Sequence, residues 1–518
     1  MRAQSIGKNS KQGFATLEIL IAFAVVILCI SAVVLVAFSN QSIALDSEAS
    51  NEAISKAQAG LELARANSRL DFNLVNPSIA TEQSGSLAYT KNIDVTQIDL
   101  FTKKVTSIVS WQMAGRTLST MLTTLLTNKE AVAGGDTCSS VPVGDWTNPK
   151  IIPPGGYEFG SDILNDTSSG FPITSIQAFN HKMYVTVNNS NGNNPGTFFI
   201  LDISNPEQKP ILLSPTSFDN STVGEGLNAV AIDGNGYAYV ANGYTSASAN
   251  CVQNHNCAQL QVINIDIPAN PVIVKNFKIP SITTGNKLAY GTSIFYRKGI
   301  VYLGLAKANN VSNEFYVIDV GGAGSGNPTN PVIMDSAKID NGINAIYVNG
   351  KYAYVASPND EELKIFDVSR PEDIGEVGRF NAPGGGVNNG NGKSLYLVGD
   401  KLYLGRTLLN GDEFYILNNS SPESTLQSLG SKNIQNSGSN TSVNGIIVRD
   451  NLAFLITNKE FQIWNISNPS NITPYTNPIT LPPGSGQQGT ASDCEGNYIF
   501  VGSKSSNNKG YISIITSN

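Results

Sequence analysis

A pair of short apolar segments recurs along residues 148–518 and constrains the fold more than any other feature of the chain. In each copy, a segment with an aromatic–aliphatic pair, such as Ala-Tyr-Val at 353–355, precedes a second one, such as Lys-Ile-Phe-Asp at 364–367. The second segments end at positions 202, 264, 319, 367, 418, 465 and 515, which lie 47–62 residues apart. Units of about 40–50 residues with several strands each are typical of β-propellers. The spacing therefore predicts a seven-bladed β-propeller over 148–518.

The last copy of this repeat lacks an outer strand, because the sequence stops at Asn518, just after its second segment. Residues 148–152, Asn-Pro-Lys-Ile-Ile, are similar to outer strands elsewhere, such as Asn-Pro-Val-Ile-Val at 270–274. We therefore expect 148–152 to complete the last blade. Cys138 lies just before this segment and Cys494 lies in the last copy, so a Cys138–Cys494 disulfide would lock the closed ring. Two free thiols are the alternative.

An apolar segment over residues 14–38 predicts a membrane-spanning helix near the N-terminus. About 20 apolar residues are enough for a helix to cross roughly 30 Å of hydrocarbon. Basic residues precede the segment and acidic residues follow it first, so the positive-inside bias predicts a cytoplasmic N-terminus and an exported remainder. Glu18 lies inside the segment, where a carboxylate costs about 2.5–3.5 kcal/mol, and its presence therefore suggests a function.

The run Gly-Phe-Ala-Thr-Leu-Glu at 13–18 resembles the N-terminus of type IV prepilins, a family of pilins, minor pilins and type II secretion pseudopilins. A basic leader, Gly13-Phe14, a glutamate five residues past the glycine and an apolar helix occur in the family's order. The resemblance implies cleavage by prepilin peptidase between Gly13 and Phe14 and N-methylation of Phe14. It also implies that Glu18 pairs with the N-terminal amine of a neighbouring subunit, which agrees with the need of a buried carboxylate for a cation.

Two simpler interpretations of this N-terminus remain open. A cleavable secretory signal has an apolar core of only about 7–15 residues followed by a small-x-small site, and the apolar run here is longer. A plain membrane anchor fits the length but leaves Glu18 without a role.

The apolar helix is predicted to continue past the membrane over 14–70, because residues 39–69 lack proline and are rich in helix formers. Small and aliphatic residues recur there at three- and four-residue spacing, namely Leu45, Ala49, Ala53, Ala57, Leu61 and Ala64. A membrane helix followed by a separate amphipathic helix is the alternative. Three strands predicted at 89–95, 104–111 and 116–125 would form a small antiparallel domain on the helix end, which resembles the β-domain of minor pilins and pseudopilins.

The sequence thus predicts a multidomain α+β protein. Its predicted parts are a prepilin leader (1–13), a transmembrane and stalk helix (14–70), a small pilin β-domain (71–130), a linker (131–147) and the propeller (148–518). Tails such as Asp-Ile-Ser-Asn-Pro at 202–206 and Asp-Val-Ser-Arg-Pro at 367–371 resemble the LVIVD-repeat propellers. That resemblance implies the fold but hardly an activity, because propellers host many functions.

The remaining cysteines predict a second disulfide. Cys29 lies in the membrane helix, whereas the other four cysteines lie in the exported part, where an even number indicates two disulfides. Cys251 and Cys257 bracket five residues, which predicts a local disulfide that staples a loop. A zinc site with His255 is the alternative, although a structural zinc site needs four ligands and no second cluster is near.

Residues suited to catalysis are scarce in this sequence. It contains two histidines, His181 and His255, and no Ser-His-Asp order, zinc-protease motif or phosphate-binding glycine loop can be drawn. Asp-Gly-Asn-Gly at 233–236 lacks the remaining ligands of a calcium loop and predicts a hairpin turn. The acidic run 360–362 predicts a solvated loop. No catalytic residue, metal site or cofactor is predicted, and we do not expect an enzyme.

Together these features predict a minor type IV pilin, or pilin-like filament subunit, of the bacterial cytoplasmic membrane. Its extracellular propeller, carried at a filament tip, would bind a surface, glycan or protein. The expected partners are prepilin peptidase, other pilin subunits through the N-terminal helix, and the membrane. Nucleic acid is not expected, because the net charge is −7 and no basic stripe occurs. A type II secretion pseudopilin is the alternative, and the scarcity of histidine disfavours a membrane-tethered propeller enzyme.

Overall fold

The computed structural model of this chain divides into two compact units, residues 1–128 and residues 129–518. The first unit combines one long helix with a four-stranded sheet, and the second consists of mainly antiparallel sheets that follow one another along the chain. The structure describes residues 12–70, 75–99, 102–113, 115–127, 137–138, 142–167, 170–188, 197–216, 227–242, 258–280, 282, 289–308, 312–322, 324–358, 361–383, 391–408, 411–434, 441–482 and 488–518.

The helix α1 spans Gln12–Leu70, one run of 59 residues and roughly 90 Å at 1.5 Å per residue. The prediction of one helix over 14–70 is confirmed, and the alternative with two separate helices is wrong. Its most apolar 18-residue window, within Leu17–Ser68, has a mean hydropathy of 3.3 and is 0% buried. By length and composition, this helix can cross a membrane.

The C-terminal half of α1 packs on the sheet of the first unit through a stripe that follows the helical period. The buried members of the stripe are Ala49, Ala53, Ala57, Leu61 and Ala64. Leu45, predicted on the same stripe, is 48% exposed. Gly60 allows the helix backbone to approach the sheet closely, because a Cβ atom at this position would lie 2.7 Å from Cδ1 of Ile93.

The sheet of the first unit has the antiparallel order β1-β2-β3-β4. Its strands are β1 (Ser78–Ser84), β2 (Leu87–Asp99), β3 (Thr102–Met113) and β4 (Arg116–Thr127). The last three contain the predicted strands. The edge strand β1 is not predicted by its sequence, because Ser-Ile-Ala-Thr-Glu-Gln-Ser shows no apolar alternation and its side chains are mostly exposed. Glu82 of β1 forms two ion pairs of 3.0 Å, with Lys56 of α1 and Lys91 of β2, which hold this edge.

The second unit is built from short strands. They are β5 (Thr137–Cys138), β6 (Lys150–Glu158), β7 (Ile173–Phe179), β8 (Lys182–Val187), β9 (Phe198–Asp202), β10 (Ile211–Leu212), β11 (Leu227–Ile232), β12 (Tyr237–Asn242), β13 (Leu260–Asn264), β14 (Val272–Phe277), β15 (Gly291–Arg297), β16 (Ile300–Leu305), β17 (Phe315–Asp319), β18 (Val332–Ala337), β19 (Ala345–Asn349), β20 (Tyr352–Ala356), β21 (Leu363–Asp367), β22 (Gly375–Phe380), β23 (Asn391–Val398), β24 (Lys401–Leu408), β25 (Phe414–Asn418), β26 (Gln427–Lys432), β27 (Thr441–Arg449), β28 (Leu452–Thr457), β29 (Glu460–Asn465), β30 (Thr473–Pro474), β31 (Ile479–Thr480), β32 (Gln488–Gly496), β33 (Tyr498–Lys504) and β34 (Gly510–Thr516). A π-helix at Phe159–Leu164 lies between β6 and β7, and a 3₁₀-helix at Pro469–Asn471 lies between β29 and β30.

Except in the last sheet, these strands form up-and-down sheets in chain order, as is typical of a propeller-like β domain. Four sheets have four strands each: β7–β10, β11–β14, β15–β18 and β19–β22. A nine-stranded sheet consists of β23–β26 and β27–β31, and among the described residues two residue pairs between β24 and β27 join these two parts. The last sheet has the order β5-β32-β33-β34-β6.

The aromatic–aliphatic pairs of the repeat lie in the second strand of each sheet and pack toward two neighbours at once. Successive side chains of a strand point to opposite faces. In β12, Tyr239 therefore stacks on Tyr296 of the next sheet, with ring centroids 5.2 Å apart, while Val240 packs with Ile200 of the preceding sheet. Both faces of these strands are buried, which explains why they are apolar throughout.

The Asp or Asn that ends the third strand has a local structural role. In β9, Oδ1 of Asp202 accepts a 2.8 Å hydrogen bond from the backbone N of Ser204, and Asp367 makes the same bond to Ser369. Such Asx turns bend the chain without help from distant residues. The Asp that marks the repeat in the sequence therefore forms the turn that follows β9 and β21.

As the sequence predicts, residues that precede the first repeat complete the last sheet. Strand β6 pairs antiparallel with β34, from Lys150 opposite Thr516 to Glu158 opposite Tyr511. The structure contains the Cys138–Cys494 disulfide, with Cα atoms 5.1 Å apart. Strand β5 also pairs in parallel with β32. The linker predicted over 131–147 therefore includes residues of the last sheet, because the disulfide draws Thr137–Cys138 onto the edge of β32.

The prediction of a solvated acidic loop at 360–362 is wrong for Glu362, and residue 360 lies outside the described ranges. The side chain of Glu362 is fully buried and pairs with the equally buried guanidinium of Arg406. Its Oε2 accepts a 2.8 Å hydrogen bond from the backbone N of Ala382, and burial raises the pKa of this carboxyl. Two further buried glutamates accept the equivalent bond in other sheets, Glu314 and Glu413.

Candidate functional site: the central channel

A β-bulge recurs near the start of the innermost strands of the second unit. The strand register skips one residue there in six strands. The skipped residues, together with the residue that precedes β19, are Thr174, Asn228, Thr292, Asn344, Lys393, Asn444 and Thr490, and we call them the channel ring. A bulge redirects a side chain out of the regular alternation. All members of the channel ring line one cavity, which identifies it as the central channel between the sheets.

The channel has a volume of about 720 Å³. Its walls carry hydroxyl and amide groups from the channel ring and from further residues such as Asn188, Tyr290 and Asn508. Among the described residues that line it, none is acidic and none is a histidine or cysteine. Cavities of about 300–1,000 Å³ with a few placed polar groups are typical of small-molecule sites.

Most of the channel ring links each sheet to the next. Nδ2 of Asn228, Asn344 and Asn444 donates to a backbone carbonyl at the start of the following inner strand, at 2.6–2.7 Å. Oγ1 of Thr174 and Thr292 makes the equivalent bond, at 2.5 and 2.6 Å. Each bond gives a backbone carbonyl group of the neighbouring sheet a hydrogen-bond donor. The links hold the inner strands at a fixed spacing around the channel.

Lys393 departs from this pattern. It occupies the bulge of β23, but the link to the next sheet is made by its neighbour, since Oγ of Ser394 donates 2.7 Å to the carbonyl of Val443. The half-buried Lys393 shares the channel with Lys504 of β33. Burial lowers the pKa of Lys393, and the positive charge of Lys504 lowers it further. Within the described residues, neither ammonium group has a hydrogen bond or an ion pair.

The site residues predicted at the N-terminus lie in or near α1. Gly13 and Phe14 are in the first turns of the helix, and their side chains are outside the described set. Glu18 is exposed on the apolar part of the helix. Cleavage, methylation and pairing at these residues stay predictions.

The other predicted cysteine pair, Cys251 and Cys257, lies outside the described residues, as does His255. His181 is exposed at a tight turn, with Nδ1 3.8 Å from a carboxylate oxygen of Glu495. In the described part of the chain, no group of three or more His, Cys, Asp or Glu side chains is placed to hold a metal ion.

The Asp-Gly-Asn-Gly sequence at 233–236 forms the predicted hairpin turn, between β11 and β12. Oδ1 of Asp233 accepts hydrogen bonds from the backbone N of Asn235 at 2.7 Å and of Tyr237 at 2.9 Å. The Asp233 side chain is 3% exposed, and this burial raises its pKa to about 6. The acid therefore stabilises a turn of the fold.

Sequence reasoning did not identify the channel ring, although a signal is present. Each member stands directly before a small residue, as in Asn-Ala-Val at 228–230 and Lys-Ser-Leu at 393–395. Aligning the repeats on their first strands would bring these positions into one column. Only in that column does a lysine stand out against threonine and asparagine.

Comparison with known proteins identifies one part of the second unit. The family model described as LVIVD repeat matches residues 344–382, which contain β19–β22, and confirms that resemblance. No curated protein matches the chain. Among solved structures, the extracellular domain of a hybrid two-component system from B. thetaiotaomicron is similar, with 10% sequence identity and a TM-score of 0.46. The similarity covers 85% of this chain and 58% of that one, so this chain spans less than two thirds of that neighbour's length.

Proposed function

We propose that this chain is a prepilin-like protein that displays a seven-bladed propeller outside the bacterial cell, as a minor subunit of a type IV pilus or pilin-like filament. The proposal rests on the order of the features along the N-terminal part of the chain. The Gly13-Phe14 junction and Glu18 stand at the head of α1, whose first half is apolar and exposed and whose second half carries a small sheet.

The exposed half of α1 supports a membrane anchor that later enters a filament core. Its large apolar side chains, such as Leu28 at 69% and Leu35 at 72% exposure, have no cover within the described chain. Exposing such a surface to water is unfavourable by about 25 cal/mol per Å². Lipid covers it before assembly, and neighbouring helices cover it in a filament. Glu18 would then meet the amine of Phe14 of an adjacent subunit, which offsets the burial of its charge.

The second unit supports a binding role for the exported part. Counting β23–β26 and β27–β31 as separate blades gives seven blades around the channel, five with four strands and two with five. The bulk of this unit beside a thin helix favours a tip or sparse position in the filament. A surface, glycan or protein is the proposed ligand. The channel lining, without carboxylate or imidazole groups in its described part, favours binding over catalysis.

The N-terminus of the membrane-extracted protein tests this proposal. We expect mass spectrometry to find a mature chain that begins at N-methylated Phe14. A Glu18→Ala variant should be cleaved and inserted normally but should fail to enter filaments. Glu62→Ala is the matched control, because Glu62 is an exposed glutamate on the same helix, and it should assemble as wild type. An uncut Met1 start, or cleavage beyond the apolar segment, would refute prepilin processing.

A deletion strain separates the two filament systems. Loss of surface pili or of adhesion supports the minor pilin. Loss of protein secretion with pili intact would instead assign the chain to a type II secretion pseudopilus, since both families share this N-terminus.

A further inference from the structure

The central channel contains a positive charge that the fold does not use. Lys393 occupies a position where the other members of the channel ring are threonine or asparagine. Five of those six side chains join neighbouring sheets, whereas at this position Ser394 makes the junction. A neutral residue would therefore satisfy the architecture at position 393.

A second lysine reinforces this charge. Lys504 lies near the end of β33, in the last sheet, and lines the same channel. Two ammonium groups that face one cavity repel each other, and partial burial weakens the screening of that repulsion. The lowered pKa of Lys393 agrees with this arrangement. Because no carboxylate lies in the described lining, the protein itself offsets neither charge there.

We propose that the channel binds the oxyanion group of a small ligand, a carboxylate, phosphate or sulfate, between Lys393 and Lys504. An oxyanion would pair with both ammonium groups through charge-assisted hydrogen bonds, which are about twice as strong as neutral ones. The hydroxyl and amide groups of the channel would contact the neutral part of the ligand. This inference makes the proposed binding role of the propeller more specific and rests on it, but it does not depend on how the N-terminus is processed.

Direct binding to the detergent-solubilised full chain tests the inference. The probes are inorganic phosphate, inorganic sulfate and galacturonate, with galactose as the neutral match of galacturonate. In low-chloride buffer, calorimetry should show saturable binding of at least one anion and none of galactose. The anion that binds most tightly identifies the group. Failure of all three anions to bind would overturn the proposal, even if filament assembly proceeds as proposed above.

Charge-removing variants locate the site. Lys393→Gln and Lys504→Gln should each weaken anion binding about tenfold, and the double variant should abolish it. Lys401→Gln is the matched control, because Lys401 belongs to the same sheet but lies at the β23–β24 turn, outside the channel lining. An unchanged dissociation constant in the double variant would refute the assignment.

Thermal melting shows whether each variant is folded. Since the two lysines repel each other, Lys393→Gln should melt at the wild-type temperature or above it in anion-free buffer. Sulfate and phosphate also stabilise proteins by general exclusion from their surface, and this effect is common to all variants. The informative quantity is the additional rise in melting temperature that wild type and Lys401→Gln show and the double variant lacks. An equal rise in all three proteins would contradict a channel site.

Discussion

The two units of this protein build their cores in different ways. In the first unit, the buried stripe of α1 is mostly alanine, and Gly60 brings the helix backbone onto the sheet. In the second unit, large aromatic and branched side chains of successive sheets interlock, as at Tyr239 and Tyr296. Small side chains suit one close helix–sheet contact, whereas large ones fill the wider gaps between sheets.

This difference shows where each unit is vulnerable. The first unit depends on the interface between α1 and its sheet, where a larger side chain at position 60 would find no free space. The second unit repeats the same interface, and its singular features are the places where the repeat is broken: a buried ion pair, a closing disulfide, a buried acid and a lysine in the channel. Four measurements test this contrast.

The largest effect is expected at the buried ion pair of the second unit. Replacing Arg406 by methionine leaves the Glu362 carboxylate buried without its cation, which should cost about 3–5 kcal/mol of unfolding free energy. Urea unfolding followed by fluorescence measures this loss. Arg370→Met is the control, since Arg370 pairs with Asp373 at 3.2 Å on the surface, and it should cost under about 1 kcal/mol. Equal losses in the two variants would contradict the role assigned to burial.

The next effect concerns the disulfide that closes the second unit. Cys138 and Cys494 are separated by 356 residues, and replacing both by serine should destabilise this unit by about 2–4 kcal/mol through the freedom gained by the unfolded chain. Thermal unfolding with and without reductant measures it. Replacing Cys251 and Cys257 by serine should have a smaller effect, because that pair would close a much shorter loop. If the second replacement cost more than the first, the closing role of Cys138–Cys494 would be wrong.

The third effect is a pH dependence that originates at the β11–β12 turn. The pKa of Asp233 is raised from 3.8 to about 6, so the folded protein holds this proton more tightly than the unfolded chain does. The contribution of this proton to the unfolding free energy is fully present below pH about 4 and is lost as pH rises through about 6. Two pKa units correspond to on the order of 3 kcal/mol. Asp233→Asn keeps the turn acceptor and should abolish the loss, so wild-type and variant melting temperatures should diverge between pH about 4 and 7.

Asp202→Asn tests the sign of that argument. The backbone N–H of Ser204 lowers the pKa of Asp202, so its stabilising contribution is present above the ordinary pKa and is lost as pH falls. The melting temperatures of wild type and Asp202→Asn should therefore diverge at acid pH, where wild type loses stability as pH falls rather than as it rises. Divergence of both variants in the same direction would show that burial does not govern Asp233.

The smallest effect tests the tight interface of the first unit. Gly60→Val should destabilise this unit by about 1–3 kcal/mol, because its side chain would collide with Ile93 and Ser107. Hydrogen exchange of the β2 amides measures the change. Ala59→Val places the same side chain on the exposed face of α1 and should leave exchange nearly unchanged. Similar exchange in both variants would mean that the helix can shift away from the sheet.

Much of the fold could be predicted because its determinants are local or periodic. The helix follows from composition and the strand pairs follow from the repeated aromatic–aliphatic segments. The turns follow from the Asp or Asn that ends the third strand in all sheets of the second unit but the last. The closure by β6 could be predicted because one copy of the repeat lacked its outer strand. These inferences need only neighbouring residues, or a comparison of one repeat with another.

The remainder depends on contacts between residues distant in sequence. Nothing near Glu362 indicates that Arg406, 44 residues away, neutralises it. Strand β1 has no apolar pattern, because it lies at an edge and is fixed mainly by its pairing with β2. The channel ring depends on bulges, which leave no clear signature in a single strand. Lys393 and Lys504 line one cavity because the sheets that carry them surround a common channel.

The attachment of Cys138 to Cys494 has a mechanical consequence. Tension applied along the chain from its N-terminal side reaches Thr137–Cys138 before it reaches β6. The covalent bond passes that load directly to β32, the innermost strand of the last sheet, before it reaches the outer strand β6. The disulfide therefore bypasses the pairing of β6 with β34. The second unit thereby keeps Thr137–Cys138 attached to β32 even when β6 separates from β34.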